Sequence, residues 1–243
     1  MSIRYSLKKI LMGCFAFAVL IYIFTTDQTY DFSKSVWSLP LSGKVIILDP
    51  GHGGPDGGAV SKEGLVEKEV SLAVSIYLRD LLQQSGAVVF MTRETDTELA
   101  SDEAKKAGRR KVEDLKNRVN MINQNNADLF ISVHLNSIPS PKWRGAQVFY
   151  HPQFEESRQV SLFIQDELIR NLENTNRQAK KNQDIFLLRH AEIPGSLVEV
   201  GFLSNAEESA LLETAEYQKK VASSIYQGIL RFYSGEKKEE SKE

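Results

Sequence analysis

His52 stands in Ile46-Ile47-Leu48-Asp49-Pro50-Gly51-His52-Gly53-Gly54, where an apolar run ends abruptly among glycines. Pro50 and Gly51 cannot continue a strand, so the chain must turn with the imidazole at the strand's carboxyl end, where open α/β sheets bind their ligands. Alone, such a histidine is more often a turn residue than a ligand, but the arrangement recurs. Asp128 to His134 (DLFISVH) is a second apolar run ending on a histidine, followed by Leu135-Asn136-Ser137. Ser196 to Val200 (SLVEV) then sets Glu199 among Leu197, Val198 and Val200. A carboxylate is costly to bury unpaired, so Glu199 should face a metal, a cation or a substrate. Glu67 opens the helical pattern after the glycine loop; its plainer role there is to complement a helix dipole, worth about 0.3 to 1 kcal/mol. Two imidazoles and a carboxylate with a fourth position open are the ligand set of catalytic zinc, and a further carboxylate beside them can move a proton.

The elements that would position these residues alternate. Lys44 to Leu48 reads as a buried strand. Val70, Leu72, Val74, Ile76, Leu78, Leu81 and Leu82 then mark a largely buried helix over about 67–85, stopped by Gly86. Ala87 to Thr92 is a second strand, and strand, helix, strand implies a parallel pair with a right-handed crossover. Residues 93–112 are charged and irregular; their cluster Lys105, Lys106, Arg109, Arg110 and Lys111 reads as a solvated face rather than a polyanion site. Leu115, Val119 and Ile122 share one face of a helix ending near Asn125. After the strand at 128–134, Gly145 to Tyr150 is a fourth strand and Val160, Phe163, Ile164, Leu168 and Leu172 mark an amphipathic helix. Ile185 to Leu188 reads as a short strand, 196–200 as the last strand, and 206–212 and 217–233 as helices. The tail from Gly235 is too charged to pack.

With 26% charged and 42% hydrophobic residues and a formal net charge of −2, the chain has an ordinary globular composition and no basic excess to attract nucleic acid. Its single cysteine, Cys14, excludes an intramolecular disulfide and a Cys-rich zinc site, leaving His and carboxylates as ligands for a transition metal. Arg4, Lys8 and Lys9 precede an apolar run from Ile10 to Phe24, the pattern of an export signal. The run is shorter than the roughly 20 residues that span a bilayer, though Thr25 and Thr26 extend it. No small-x-small cleavage site follows, so 1–26 is expected to be an uncleaved anchor placing the rest outside the membrane. Residues 27–43 then form a linker, 44–233 the catalytic domain and 234–243 a disordered tail.

The segments Leu48 to Gly54, Glu67-Lys68, Thr92-Arg93, Ile131 to His134 with Asn136, and Leu197 to Asn205 resemble, in order, the zinc-dependent N-acetylmuramoyl-L-alanine amidases of bacterial cell-wall turnover. The resemblance covers roughly 44 to 233. It implies a three-layer α/β/α domain with a mixed, mostly parallel sheet of about six strands. It makes His52, Glu67 and His134 the ligands of one zinc ion and Glu199 the catalytic acid/base. Arg93, Arg118 and Asn136 are candidate substrate contacts, the two arginines leaning towards structural ion pairs. Trp37 to Lys44 and His134-Leu135-Asn136 resemble the sporulation members in particular. That implies action on spore-cortex peptidoglycan, a muramic acid deacetylase acting in sequence to give muramic δ-lactam, and room for an activating partner. Some members carry a helix that plugs the metal site, for which the stretch between His134 and Gly145 is too short.

Two other classes remain in play. A vegetative autolysin or a non-catalytic peptidoglycan-binding protein would share the fold, the latter lacking a ligand or base. A nucleotide-binding loop fits poorly, because Pro55 and Asp56 stand where a dinucleotide fingerprint needs a helix start and a third glycine. His151 and His190 have no comparable context and read as surface residues.

Overall fold

The computed structural model describes residues 3–25 and 39–236. They fall into two units, one within Met1–Ser38 and one from Leu39 onward. The first contains α1 (Ile3–Thr25), along which Ile10, Leu11, Met12, Phe15 and Phe17 are exposed. Among the described residues no helix is long and apolar enough to cross a membrane. The expected anchor includes residues whose side chains are not described, and most of the expected linker and the end of the tail lie outside the described residues.

The second unit is built on one six-stranded sheet in the order β2-β1-β3-β6-β4-β5. Its strands are β1 (Val45–Pro50), β2 (Val88–Met91), β3 (Leu129–Asn136), β4 (Gln147–Tyr150), β5 (Lys180–Lys181) and β6 (Gly195–Phe202). β1 is parallel to β2 and β3, and β3 to β6; β4 pairs antiparallel with β6, and β5 runs parallel to β4. The mixed, mostly parallel sheet is the expected one. The strands read as near-continuous apolar runs because helices cover both faces.

Side-chain alternation sorts the strands between two cores. Ile46 and Leu48 of β1, Ile131 and Val133 of β3, and Val198 and Val200 of β6 pack with α2 (Glu67–Gln84), α5 (Glu155–Leu172) and α8 (Ala215–Tyr233). Ile47, Phe130 and Leu197 face the other way, onto Val119 and Ile122 of α4 (Arg110–Gln124) and Leu187 and Leu188 of α6 (Phe186–His190). The domain is thus three layers deep. Two shorter helices complete it, α3 (Asp102–Lys106) and α7 (Ala206–Leu212), each N-capped by a side chain, Ser101 and Asn205 respectively.

Two stretches differ from expectation: residues 93–112, read as irregular, contain α3 and the start of α4, and the run from Ile185 is the other. Ile185 to Leu188 is not a strand: Ile185 caps α6, and the fifth strand is the pair Lys180–Lys181. A four-residue apolar run fits a strand or a buried helical turn equally well by periodicity. Here Leu187 and Leu188 both go into the second core, as adjacent residues on one helix face do and adjacent residues on a strand do not.

Candidate active site

The face of the sheet that carries Ile47, Phe130 and Leu197 also carries, two residues further along each strand, Asp49, Ser132 and Glu199, and then His134. His134 and Glu199 are register partners across β3 and β6, and Gln147 of the antiparallel β4 is the other partner of Glu199. Three adjacent strands therefore present His134, Glu199 and Gln147 in one row at the carboxyl ends of β3 and β6.

His52 reaches this row from the turn after β1. Its φ of 62° lies in the left-handed region, an uncommon conformation for a residue with a Cβ. Two arginines hold the turn in it. Arg118, on α4, donates to Pro50 O at 2.8 Å and to His52 O at 2.5 Å. Arg93, after β2, donates to Pro50 O at 3.1 Å, to Gly51 O at 2.8 Å and to Lys68 O at 2.8 Å, tying the turn to the start of α2. Lys68 completes the clamp by bonding Gly54 O and Asp96, whose other oxygen accepts from Gly54 N. The turn also needs its glycines. A Cβ on Gly51 would collide with the His134 ring, and one on Gly58 would lie 2.6 Å from Glu67 Oε2 and 2.7 Å from His52 Cδ2.

Glu67 is the first residue of α2 and is buried. Its Oε1 lies 3.0 Å from His134 Nδ1 and 3.2 Å from His52 Nε2, and accepts from Leu135 N; its Oε2 accepts from Ala59 N at 2.9 Å. One ligand atom from each of His52, Glu67 and His134 falls within 4.8 Å of the others, and this is the one such group among the described residues. The imidazoles meet edge to face, with ring centroids 5.0 Å apart. His52 turns its other nitrogen, Nδ1, to Asp56 at 3.1 Å, the carboxylate-to-histidine contact that commonly fixes the orientation of a metal-binding ring.

The electrostatics suit a bound cation. Burial pushes the Glu67 carboxyl up, but the two imidazoles overcome it and hold it well below the usual carboxylate range. Burial pulls His52 down, and the hydrogen bonds and charges of Glu67 and Asp56 more than reverse this. Glu199 has no such compensation. Burial, with the nearby charge of Glu67, lifts it to about 7 against the opposing pull of His134 and His52. Its Oε2 is enclosed without a hydrogen-bond partner. A buried, unpartnered carboxylate oxygen beside two imidazoles and a carboxylate fits a metal centre with a proton acceptor next to it.

Beneath the site lies a network that sequence reasoning did not single out. Asp49 is fully buried and accepts from Arg118 at 2.8 Å, Thr92 Oγ1 at 2.7 Å and Ser132 Oγ at 2.6 Å. Arg118 also pairs with Asp114 at 2.8 Å. The signal for this network was present as an acidic residue inside an apolar strand, the feature that drew attention to Glu199.

The other candidates are placed differently. Arg93 and Arg118 are buried, Arg93 bonded to backbone carbonyls and Arg118 to backbone carbonyls and the Asp49 carboxylate. Asn136 ends β3 half-buried, and its backbone oxygen accepts from Leu203 N at 2.8 Å. His151 and His190 are outside the cluster. Residues 137–146, between β3 and β4, contain no helix.

The sequence profile of N-acetylmuramoyl-L-alanine amidases matches residues 46–231, from the first strand of this layered domain into its last helix. The chain belongs to that family. It is 55% identical over 218 residues to the germination-specific N-acetylmuramoyl-L-alanine amidase of Bacillus subtilis, covering 90% of this chain and 92% of the relative. The amidase CwlD of Clostridioides difficile, solved in complex with the GerS lipoprotein, superposes with a TM-score of 0.77 at 43% identity over 79% of this chain and all of that one. The catalytic domain of CwlV from Bacillus (Paenibacillus) polymyxa superposes with a TM-score of 0.69 at 30% identity, over 79% of this chain and 98% of the other. Family and fold are thus those that the motif order implied, and the amidase domain places His52, Glu67, His134 and Glu199 at one end of its sheet.

Proposed function

We propose that the chain is a zinc-dependent amidase that hydrolyses the bond between the muramic acid lactyl group and L-alanine in spore-cortex peptidoglycan. The observation that carries the chemistry is the convergence of His52, Glu67 and His134 on one point with Glu199 Oε2 enclosed and unpartnered beside them. Support for the cortex as substrate is the 55% identity to a germination-specific relative that this chain matches almost end to end.

In this reading His52, Glu67 and His134 hold the zinc ion. When bound, zinc supplies electrophilic polarisation of the amide carbonyl and makes a nearby water more acidic. Glu199 takes the proton from the attacking water as its oxygen bonds to the carbonyl carbon. It then delivers that proton to the alanine nitrogen as the carbon–nitrogen bond breaks. Asp56 keeps His52 in one orientation, while Arg93 and Arg118 hold the turn that carries it. The charged segment before Ile10 and the apolar run to Phe24 export the domain and tether it outside the membrane. Trimming the cortex stems would leave muramic acid for a deacetylase. The GerS complex of the Clostridioides difficile relative is the precedent for a partner protein, to which this reading gives an activating role.

The test is digestion of purified peptidoglycan by the fragment from Val36 onward, with and without a zinc chelator. Stem peptides with a free amino-terminal L-alanine, lost on chelation and restored by zinc, are the expected products. Retained glycan–peptide linkage with cleavage at another amide would refute the assignment.

A further inference from the structure

A cleft of about 260 Å³ runs from His52 and His134 between α4 and α6. Its sides are largely apolar: Leu115 on α4, Ile185, Phe186 and Leu187 at α6, and Leu197 on the floor. The polar groups along it are nearly all engaged. Arg118 is buried among Asp49, Asp114 and two backbone carbonyls, and Asp56 is bonded to His52. Lys111, at the start of α4, is the exception. It lines the cleft, its side chain is 69% exposed, and its one ion pair is a long 3.8 Å approach to Asp56.

Lys111 also lines a second, shallower cleft next door with Lys105 and Arg110. Those two cations already have carboxylate partners: Arg110 pairs with Glu98 at 3.4 Å, and Lys105 with Asp102 at 3.1 Å and Glu98 at 3.5 Å. Of the basic cluster 105–111, then, Lys111 is the member whose charge is turned to the metal-site cleft with little to satisfy it. The lining is wrong for a sugar, which needs many hydrogen-bonding partners along its edges. It is right for a short peptide with small apolar side chains and one negative charge.

We infer that this cleft receives the stem peptide of the substrate and that Lys111 reads a carboxylate on it, making Lys111 a specificity-determining residue. The inference rests on the amidase reading above. It means the enzyme separates stems that carry a free carboxylate near the alanine from stems in which that group is a primary amide. A cation on a cleft rim contributes modestly to affinity, is sensitive to salt and gains in selectivity what it lacks in strength.

The test uses the zinc-loaded full chain and two muramyl peptides that differ only in a free acid or primary amide at the second residue. For the wild type kcat/KM should favour the acid by about fivefold at low salt, chiefly through KM, and the preference should shrink at 0.5 M salt. Lys111→Gln should bring the acid down to the level of the amide, and Lys111→Arg should restore most of the preference. An acid-to-amide ratio that is the same in wild type and Lys111→Gln would overturn the proposal. Calorimetric titration of the free L-alanyl acidic peptide and its amide into both proteins reads the contact without turnover. Lys111-dependent binding of the acid without cleavage would sink the amidase reading alone, and cleavage without Lys111-dependent discrimination would sink this one alone.

Discussion

On the proposed reading Glu199 moves the proton while His52, Glu67 and His134 hold the metal, and single substitutions should separate these roles. Glu199→Gln keeps the shape but cannot accept a proton, so turnover should fall by at least about a hundredfold while the protein still binds zinc. Metal content by mass spectrometry beside the activity assay checks this; wild-type turnover in the variant would remove Glu199 from the mechanism. His52→Ala or Glu67→Ala should instead lose the metal itself. Gly51→Ala adds one methyl group against the His134 ring, and should weaken zinc binding by displacing that ring while every proposed ligand residue is kept. The buried pair beneath the site is the other residue-scale weak point. Arg118→Ala leaves Asp49 buried without its charge partner, a loss of about 3 to 5 kcal/mol that chemical denaturation would register.

Elements set the pH and packing limits. Burial works to raise the Asp49 carboxyl, but the Arg118 charge and the hydroxyls of Ser132 and Thr92 outweigh it and hold it below its usual 3.8. A carboxyl lowered on folding stabilises the fold above its unfolded value, and that contribution fades as pH falls through the folded one. Stability measured from pH 6 down should therefore drop steeply below about pH 4, and Asp49→Asn, less stable at neutral pH, should flatten this acid limb. On the opposite face α5 and α8 cross at Gly228, where a Cβ would come 2.5 Å from the Ile164 backbone. Gly228→Ala should force the helices apart and cost about 1 to 3 kcal/mol, read as a lower melting temperature with the zinc site intact. Helices and strands that repeat over many residues, such as α2, α8, β1 and β3, are legible in sequence because their apolar period is sustained. α6 was not, since a four-residue run carries no period and only the second core beneath it selects the helical turn.

For the whole molecule, the catalytic unit begins at Leu39 and carries the complete set of candidate ligands. A fragment from Val36 should fold and cleave substrate as the full chain does, and zinc at a hundredfold excess over its dissociation constant should add about 2.7 kcal/mol, or some 5 to 10 °C of melting temperature, reversed by chelation. A scan with no shift on adding zinc would count against a metal built into this fold. The sequence by itself determined the alternation of strands and helices and the family, and it singled out His52, His134 and Glu199 because each ends or interrupts an apolar run, whereas Glu67 joined them only by opening the next helix and by the family resemblance. The sequence did not show that Arg93 and Arg118 point inward, that Asp49 anchors the floor, that Gln147 flanks Glu199 or that Lys111 lines the cleft beside His52 and His134. Those facts depend on which strands lie side by side and which carbonyls a turn leaves unpaired, and contacts between residues as distant in sequence as Asp49 and Arg118 exist only once the sheet has closed its order.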